Sequence, residues 1–218
     1  MTPDYDQAAL KATETLIDYN ITAAPVSPLP IVKSLPNVLL LPFAEMSICI
    51  GEDRDRVISA FGDSQDAVTS VHLSSGELRY VVAYNQRLPA YLIQRALARE
   101  LGHIVLHHDG SRPDAVRTEE ANCFARHLIC PRPLIRALQD AGIALTTETL
   151  GNVTGCYERC ISGLRKTPGT SVPPQLNRAL RNQFSEYVAN YAKFQPILAR
   201  EDETPVVDFG SYMDGYEE

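Results

Sequence analysis

The stretch LARELGHIVLHH, residues 97–108, decides how the rest of the chain is read. Its centre, Arg99-Glu100-Leu101-Gly102-His103, stands one residue away from His-Glu-x-x-His. In that helical signature two imidazoles one turn apart grip a cation, and the acid beside the first takes a proton from metal-bound water. At about 100° per residue, Arg99, His103 and His107 project from one side of a helix, with Glu100 at the edge of that arc. Leu92, Ile93, Ala96, Leu97, Leu101, Ile104 and Val105 recur at helical spacing from Pro89 onward, so this helix should pack lengthwise in a core.

Working outward, a third metal ligand has to come from another element. Glu119 and Glu120 open the next helical pattern, TEEANCFARHLICP at 118–131, which Pro131 stops. There Ala121, Phe124, Ala125 and Leu128 define the buried side. Glu120, four residues before Phe124, faces inward over the first helix, and Glu119 points more to the side. Upstream, AVTSVHLSSGELRYVVAYN at 67–85 holds two β-branched runs around Ser-Ser-Gly-Glu, the pattern of a hairpin.

This ordered set, a hairpin ending at Asn85, then ELGHIVLHH, then EANCFARHLICP, resembles the ImmA/IrrE family of metallopeptidases. The pattern of that family runs HELGH…LHH…EAN-x-FA-x-x-LLMP, and the resemblance covers roughly residues 67–131. It implies an α+β, zincin-like fold: a small antiparallel sheet with a hairpin, packed on a mainly helical body. It implies zinc as cofactor and, as partner or substrate, a helix-turn-helix repressor. Carried over position by position, Glu100 matches the general base, His103 the second ligand and Glu120 the third. The first ligand matches Arg99, and there the pattern breaks.

A guanidinium does not deprotonate in a protein and has no lone pair to offer, so Arg99 cannot ligate zinc. It also brings a positive charge to the place a dication would take, while Glu100 and Glu120 would be semi-buried acids in need of a counter-ion. The expectation is that Arg99 replaces the metal, pairing with Glu120 or Glu100 in a forked contact. Two repairs stand beside it: a shifted site of His103, His107 and Glu120, and a weak two-ligand site of His103 and Glu120. Two functions follow. One is a metallopeptidase cleaving a regulatory protein; the other is a peptidase-like pseudoenzyme that binds such a protein without cutting it.

The remaining sequence bounds these readings. A chain of 218 residues, 44% hydrophobic and 22% charged, is that of a globular protein with a real core. No run approaches the ~18 consecutive apolar residues of a membrane span. The acidic start MTPDYDQAAL lacks the order of a secretory signal, which points to the cytoplasm. Five cysteines form no tight framework, and Cys156 and Cys160 share the spacing of a helix face, so reduced thiols are expected. His72 is expected to have no chemical role, and His127, seven residues after Glu120 on roughly the same face, is expected to be a solvated or core histidine, with support of a ligand as the alternative. Of the net charge of −7, all sits in residues 201–218, which hold seven acids and no Lys or Arg. Residues 149–169 have the outline of a helix-turn-helix with Gly155 in the turn, but the local excess of +3 over 148–182 is modest and direct nucleic-acid binding is not expected. The expected organisation is a zincin-like domain at 1–166, a helical extension at 167–200 and an acidic tail at 201–218.

Helices are further expected from Thr2-Pro3 to about Asn20, near Leu29 to Leu35, near 133–141, over 147–166 and over 174–195. VLLLPF suits a strand, with SICI at 47–50 extending or pairing with it, and 51–66 has no assignment.

Overall fold

The computed structural model describes residues 1–60, 66–74, 76–108, 111–156 and 169–198. The architecture is mixed α+β, mostly helical with one small sheet, and is compatible with a zincin-like fold. The chain divides into two compact units, one of Met1 with Ser27–Ala121 and one of Thr2–Val26 with the chain from Asn122 onward.

The first unit is built around a three-stranded sheet. Helix α2 (Pro28–Ser34) leads into β1 (Val38–Pro42), followed by α3 (Phe43–Ile50) and α4 (Arg54–Ala60). The hairpin is β2 (Ala67–Ser74) and β3 (Glu77–Tyr84), turning through Gly76 at φ +81°, a conformation that favours glycine. The hairpin is antiparallel, Val71 facing Tyr80 and Thr69 facing Val82. The sheet is mixed rather than wholly antiparallel, because β1 lies parallel to β3 on its other side, Val38 facing Tyr80. The intervening α3 and α4 supply the crossover that a parallel pair requires.

Each sheet face has its own cover. Phe43, Val57 and Ala83 bury one another where α3 and α4 meet the sheet, with Met46, Ile58 and Val68 packed around them. Tyr80 and Val82, which alternate with Ala83 along β3, face the other way and are buried. Helix α5 (Ala90–Val105) lies against β2, β3 and α2. It buries Ala96, Leu97, Leu101 and Ile104, the stripe its apolar spacing dictates, together with Glu100.

In the second unit α1 (Tyr5–Asp18) buries Ala8, Ala9, Ala12 and Leu16. It is capped by Asp4, whose carboxylate accepts from the Gln7 amide at 2.9 Å. Helix α6 (Asp114–Ile129) begins a turn earlier than its sequence pattern suggests, and its residues from Asn122 onward belong to this unit. Then come α7 (Arg132–Asp140), α8 (Thr147–Thr154), α9 (Pro174–Gln183) and α10 (Ser185–Leu198). Phe124, Leu128, Leu134, Leu138 and Phe184 are fully buried. Gln183 donates to the Leu16 and Ile21 carbonyls at 2.8 and 2.7 Å, tying α9 to the end of α1.

Three local expectations are corrected. SICI is the end of helix α3, not a strand: four apolar residues have no period that separates the two. The unassigned tract holds α4. The pattern over 174–195 is two helices, parted at the buried Phe184. The reading helix of the helix-turn-helix outline and the acidic tail lie outside the described residues, although Gly155 is seen ending α8 at φ +67°.

Candidate functional site

Every side chain of the candidate site lies in the first unit. Arg99, near the middle of α5, reaches the residue before β2. Its Nη2 donates to Asp66 Oδ1 at 2.9 Å and its Nη1 to Asp66 Oδ2 at 3.4 Å. Its Nε and Nη2 both donate to Glu100 Oε1, at 3.1 and 2.9 Å, and Nη2 also meets the Ala67 carbonyl at 3.2 Å. One planar guanidinium thus satisfies two carboxylates and a strand end. Of the two partners expected for Arg99, Glu100 is engaged and Glu120 is not; Asp66 takes the second place.

The electrostatics follow from burial. The Glu100 carboxyl is pushed above the usual carboxylate range by desolvation, with Arg99 pulling it part of the way back. Burial works against the Arg99 charge, yet Glu100 and Asp66 outweigh it and hold the guanidinium above its ordinary value. The ion trio is therefore interdependent: the acids are tolerable in this interior because of the arginine.

His103, Glu120 and a residue that sequence reasoning passed over, His108, form a second network. His103 Nδ1 lies 2.8 Å from His108 Nδ1, and His108 Nε2 lies 3.0 Å from Glu120 Oε2. Arg112 Nη1 donates to the same Glu120 oxygen at 2.7 Å. The guanidinium of Arg117 pairs with Asp114 and its Nε donates to the Arg112 carbonyl at 3.1 Å, which steadies the chain that presents Arg112. His103 is pulled down to about 3 by burial first, then by His108, Arg99 and Arg117. His108 is lowered by burial, which Glu120 partly offsets. With both imidazoles neutral, the bonding pattern assigns the protons. His108 Nε2–H donates to Glu120, so His108 Nδ1 accepts from His103 Nδ1–H, and His103 Nε2 keeps its lone pair.

His107 does not sit where helical projection puts it. Helix α5 ends at Val105, and Leu106, His107 and His108 form its cap. The His107 amide bonds back to the Ile104 carbonyl at 3.1 Å and the His108 amide to the His103 carbonyl at 3.0 Å. That pair of bonds, around a left-handed residue at φ +53°, is a Schellman end with histidine in the place usually given to glycine. The reversal folds His108 back over His103. It leaves His107 exposed, beside Asn37, Leu78 and Arg79 in a groove of about 1070 Å3. The shifted set of His103, His107 and Glu120 is therefore not brought together. Glu119 is exposed, as its position on α6 implied, whereas Glu120 is buried. His72 is exposed on β2, its Nε2 3.1 Å from the Ser70 hydroxyl, and His127 is buried with its Nε2 3.2 Å from Thr170 Oγ1.

Arg99, Glu100, His103 and His108 line a pocket of about 480 Å3, whose walls include Val68, Thr69 and Val71 of β2. The donor set of this pocket does not fit zinc. The first ligand position offers a guanidinium, the second presents a lone pair at His103 Nε2, and the third, Glu120, has Oε2 already bonded by Arg112 and His108. Among the described residues no trio of His, Cys, Asp or Glu is arranged to hold a metal ion. No described helix is long and apolar enough to cross a membrane.

Residues 55–151 match the family described as the IrrE N-terminal-like domain, Peptidase_M78. The matched span holds both networks entire, from Asp66 to Glu120. Comparisons with curated proteins and with solved structures find no match.

Proposed function

Since residues 55–151 form an IrrE N-terminal-like domain of the ImmA/IrrE metallopeptidase-like family, we propose that this chain is a peptidase-type module that binds a regulatory protein and does not cut it by zinc chemistry. The regulatory protein is of the helix-turn-helix repressor kind on which that family acts. A single observation carries the reading: Arg99, at the first ligand position, is held by Asp66 and Glu100 at 2.9 Å each.

Cleavage would require Glu100 to face a polarised water. Instead its side chain is 5% exposed, and Oε1 accepts two hydrogen bonds from Arg99. Binding needs only surface and shape, and the site retains both. Among the described residues the outer edge of β2 carries no further strand, and Val68, Thr69 and Val71 run along the pocket wall. An extended segment of the partner adds to that edge through main-chain hydrogen bonds, with alternate side chains over the pocket.

The test is metal content by elemental analysis after dialysis against zinc, on the wild type and on Arg99→His. The expected result is an empty wild type. Stoichiometric zinc in the wild type, lost in His103→Ala, overturns the reading.

A further inference from the structure

Zinc in a site of this pattern supplies two positive charges and a central atom that its ligands share. Arg99 supplies one charge, and the second reaches Glu120 from elsewhere. We infer that Arg112 and His108 form a second lock on the metal position, so that replacing Arg99 alone reopens it only in part. The inference rests on the metal-free reading above and goes beyond it, because position 99 contributes nothing to these contacts.

The second network is a chain of bonds rather than a cage. Glu120 is 2% exposed, and its Oε2 accepts a 2.7 Å bond from Arg112 and a 3.0 Å contact from His108. His108, with 1% of its side chain exposed, stands between the two would-be ligands, in contact with His103 Nδ1 on one side and Glu120 on the other. Three groups strung in a line, each bonded to the next, do not converge on one ion. For Glu120 Oε2 to take a cation, Arg112 must withdraw and its positive charge must move away. For Glu120 Oε2 to turn to an ion held by His103 Nε2, it must also leave the His108 imidazole. Both motions act against charge-assisted or buried hydrogen bonds. Arg112 in turn is positioned by Arg117, which bonds its carbonyl and pairs with Asp114.

The two locks line the same pocket but use different residues. Asp66, Ala67 and Glu100 hold Arg99, whereas Arg112 and His108 hold Glu120, and no residue belongs to both sets. Loss of one leaves the other closed.

The test is titration with zinc(II) alone, followed by calorimetry, on Arg99→His, Arg99→His/Arg112→Gln and Arg99→His/His108→Asn, with Arg112→Gln as control. Thermal melts establish that each variant is folded. Arg99→His should bind zinc weakly, and each double variant about tenfold to a hundredfold more tightly, the range by which neighbours of a metal ligand alter its affinity. Arg112→Gln alone should bind none, because the first lock remains. Equal affinity in Arg99→His and in whichever double variants fold overturns the second lock and leaves the metal-free reading intact. Zinc bound by the wild type overturns that reading instead.

Discussion

Replacing Arg99 by alanine tests the electrostatics of the site most directly. The side chain is 19% exposed and bridges Asp66, 23% exposed, and Glu100, 5% exposed. Removing one partner of a buried ion pair costs about 3–5 kcal/mol, most of it from the charge left behind. Here Asp66 can regain water, so the burden falls on Glu100, and a loss of about 2–4 kcal/mol at pH 7 is expected. The loss should also depend on pH. Burial already holds the Glu100 carboxyl above its usual range and Arg99 restrains it; without Arg99 it rises further. A group whose folded pKa is raised stabilises fully below its unfolded value and loses that contribution as pH rises through the folded one. The deficit of Arg99→Ala should therefore shrink as pH falls toward the carboxyl range. Urea unfolding at pH 7 and pH 5 measures both effects, and adding Glu100→Gln to the variant should recover part of the loss at pH 7. Curves within about 0.5 kcal/mol of wild type at pH 7, or a deficit that ignores pH, would refute the reasoning.

Other perturbations probe the second network and the core. His103, pulled down to about 3, is neutral when folded and basic at 6.5 when unfolded. It thus contributes stability above pH 6.5 that drains away as pH falls toward 3. Its ring resonances in NMR should not titrate between pH 7 and 5, and a midpoint near 6.5 would contradict the buried pairing. His108→Ala should cost about 1–3 kcal/mol, because Glu120 and His103 lose their shared partner. His107→Ala should stay within about 0.5 kcal/mol, and the reverse order in thermal melts would mean the two imidazoles have been exchanged. Phe43→Ala, which hollows out the cluster of Phe43, Val57 and Ala83, should cost about 3–5 kcal/mol by chemical denaturation; a loss under about 1 kcal/mol would mean the α3 face of the sheet is not a core.

Much of this frame is written in the residues. The apolar spacing along 92–105 sets α5, the turn residues around Gly76 set the hairpin, and the Ala121–Leu128 stripe sets the inward face of α6. Those three elements place Arg99, Glu100, His103 and Glu120 without help from elsewhere. What escaped was decided by contacts or by chain ends. Asp66 closes a charged tract whose helix, α4, holds only Val57 buried, so no strong stripe announces it. His108 was hidden because Leu106-His107-His108 contains neither Gly nor Pro, the usual mark of a helix end. Periodicity therefore ran on past Val105 and put His107, rather than His108, on the side of His103. SICI was ambiguous for want of length, and α9 and α10 merged because Phe184 continues the apolar stripe through the break.

The left-handed turn at His107 has a consequence for anyone altering this corner. A histidine at φ +53° tolerates a conformation that glycine adopts without steric penalty and a β-branched residue resists. His107→Gly should keep the geometry, whereas His107→Val would straighten the path, carry the next imidazole outward and take the His108 bond away from the buried acid. A single backbone handedness, one residue beyond the helix, thereby chooses which of two identical neighbouring side chains the interior receives.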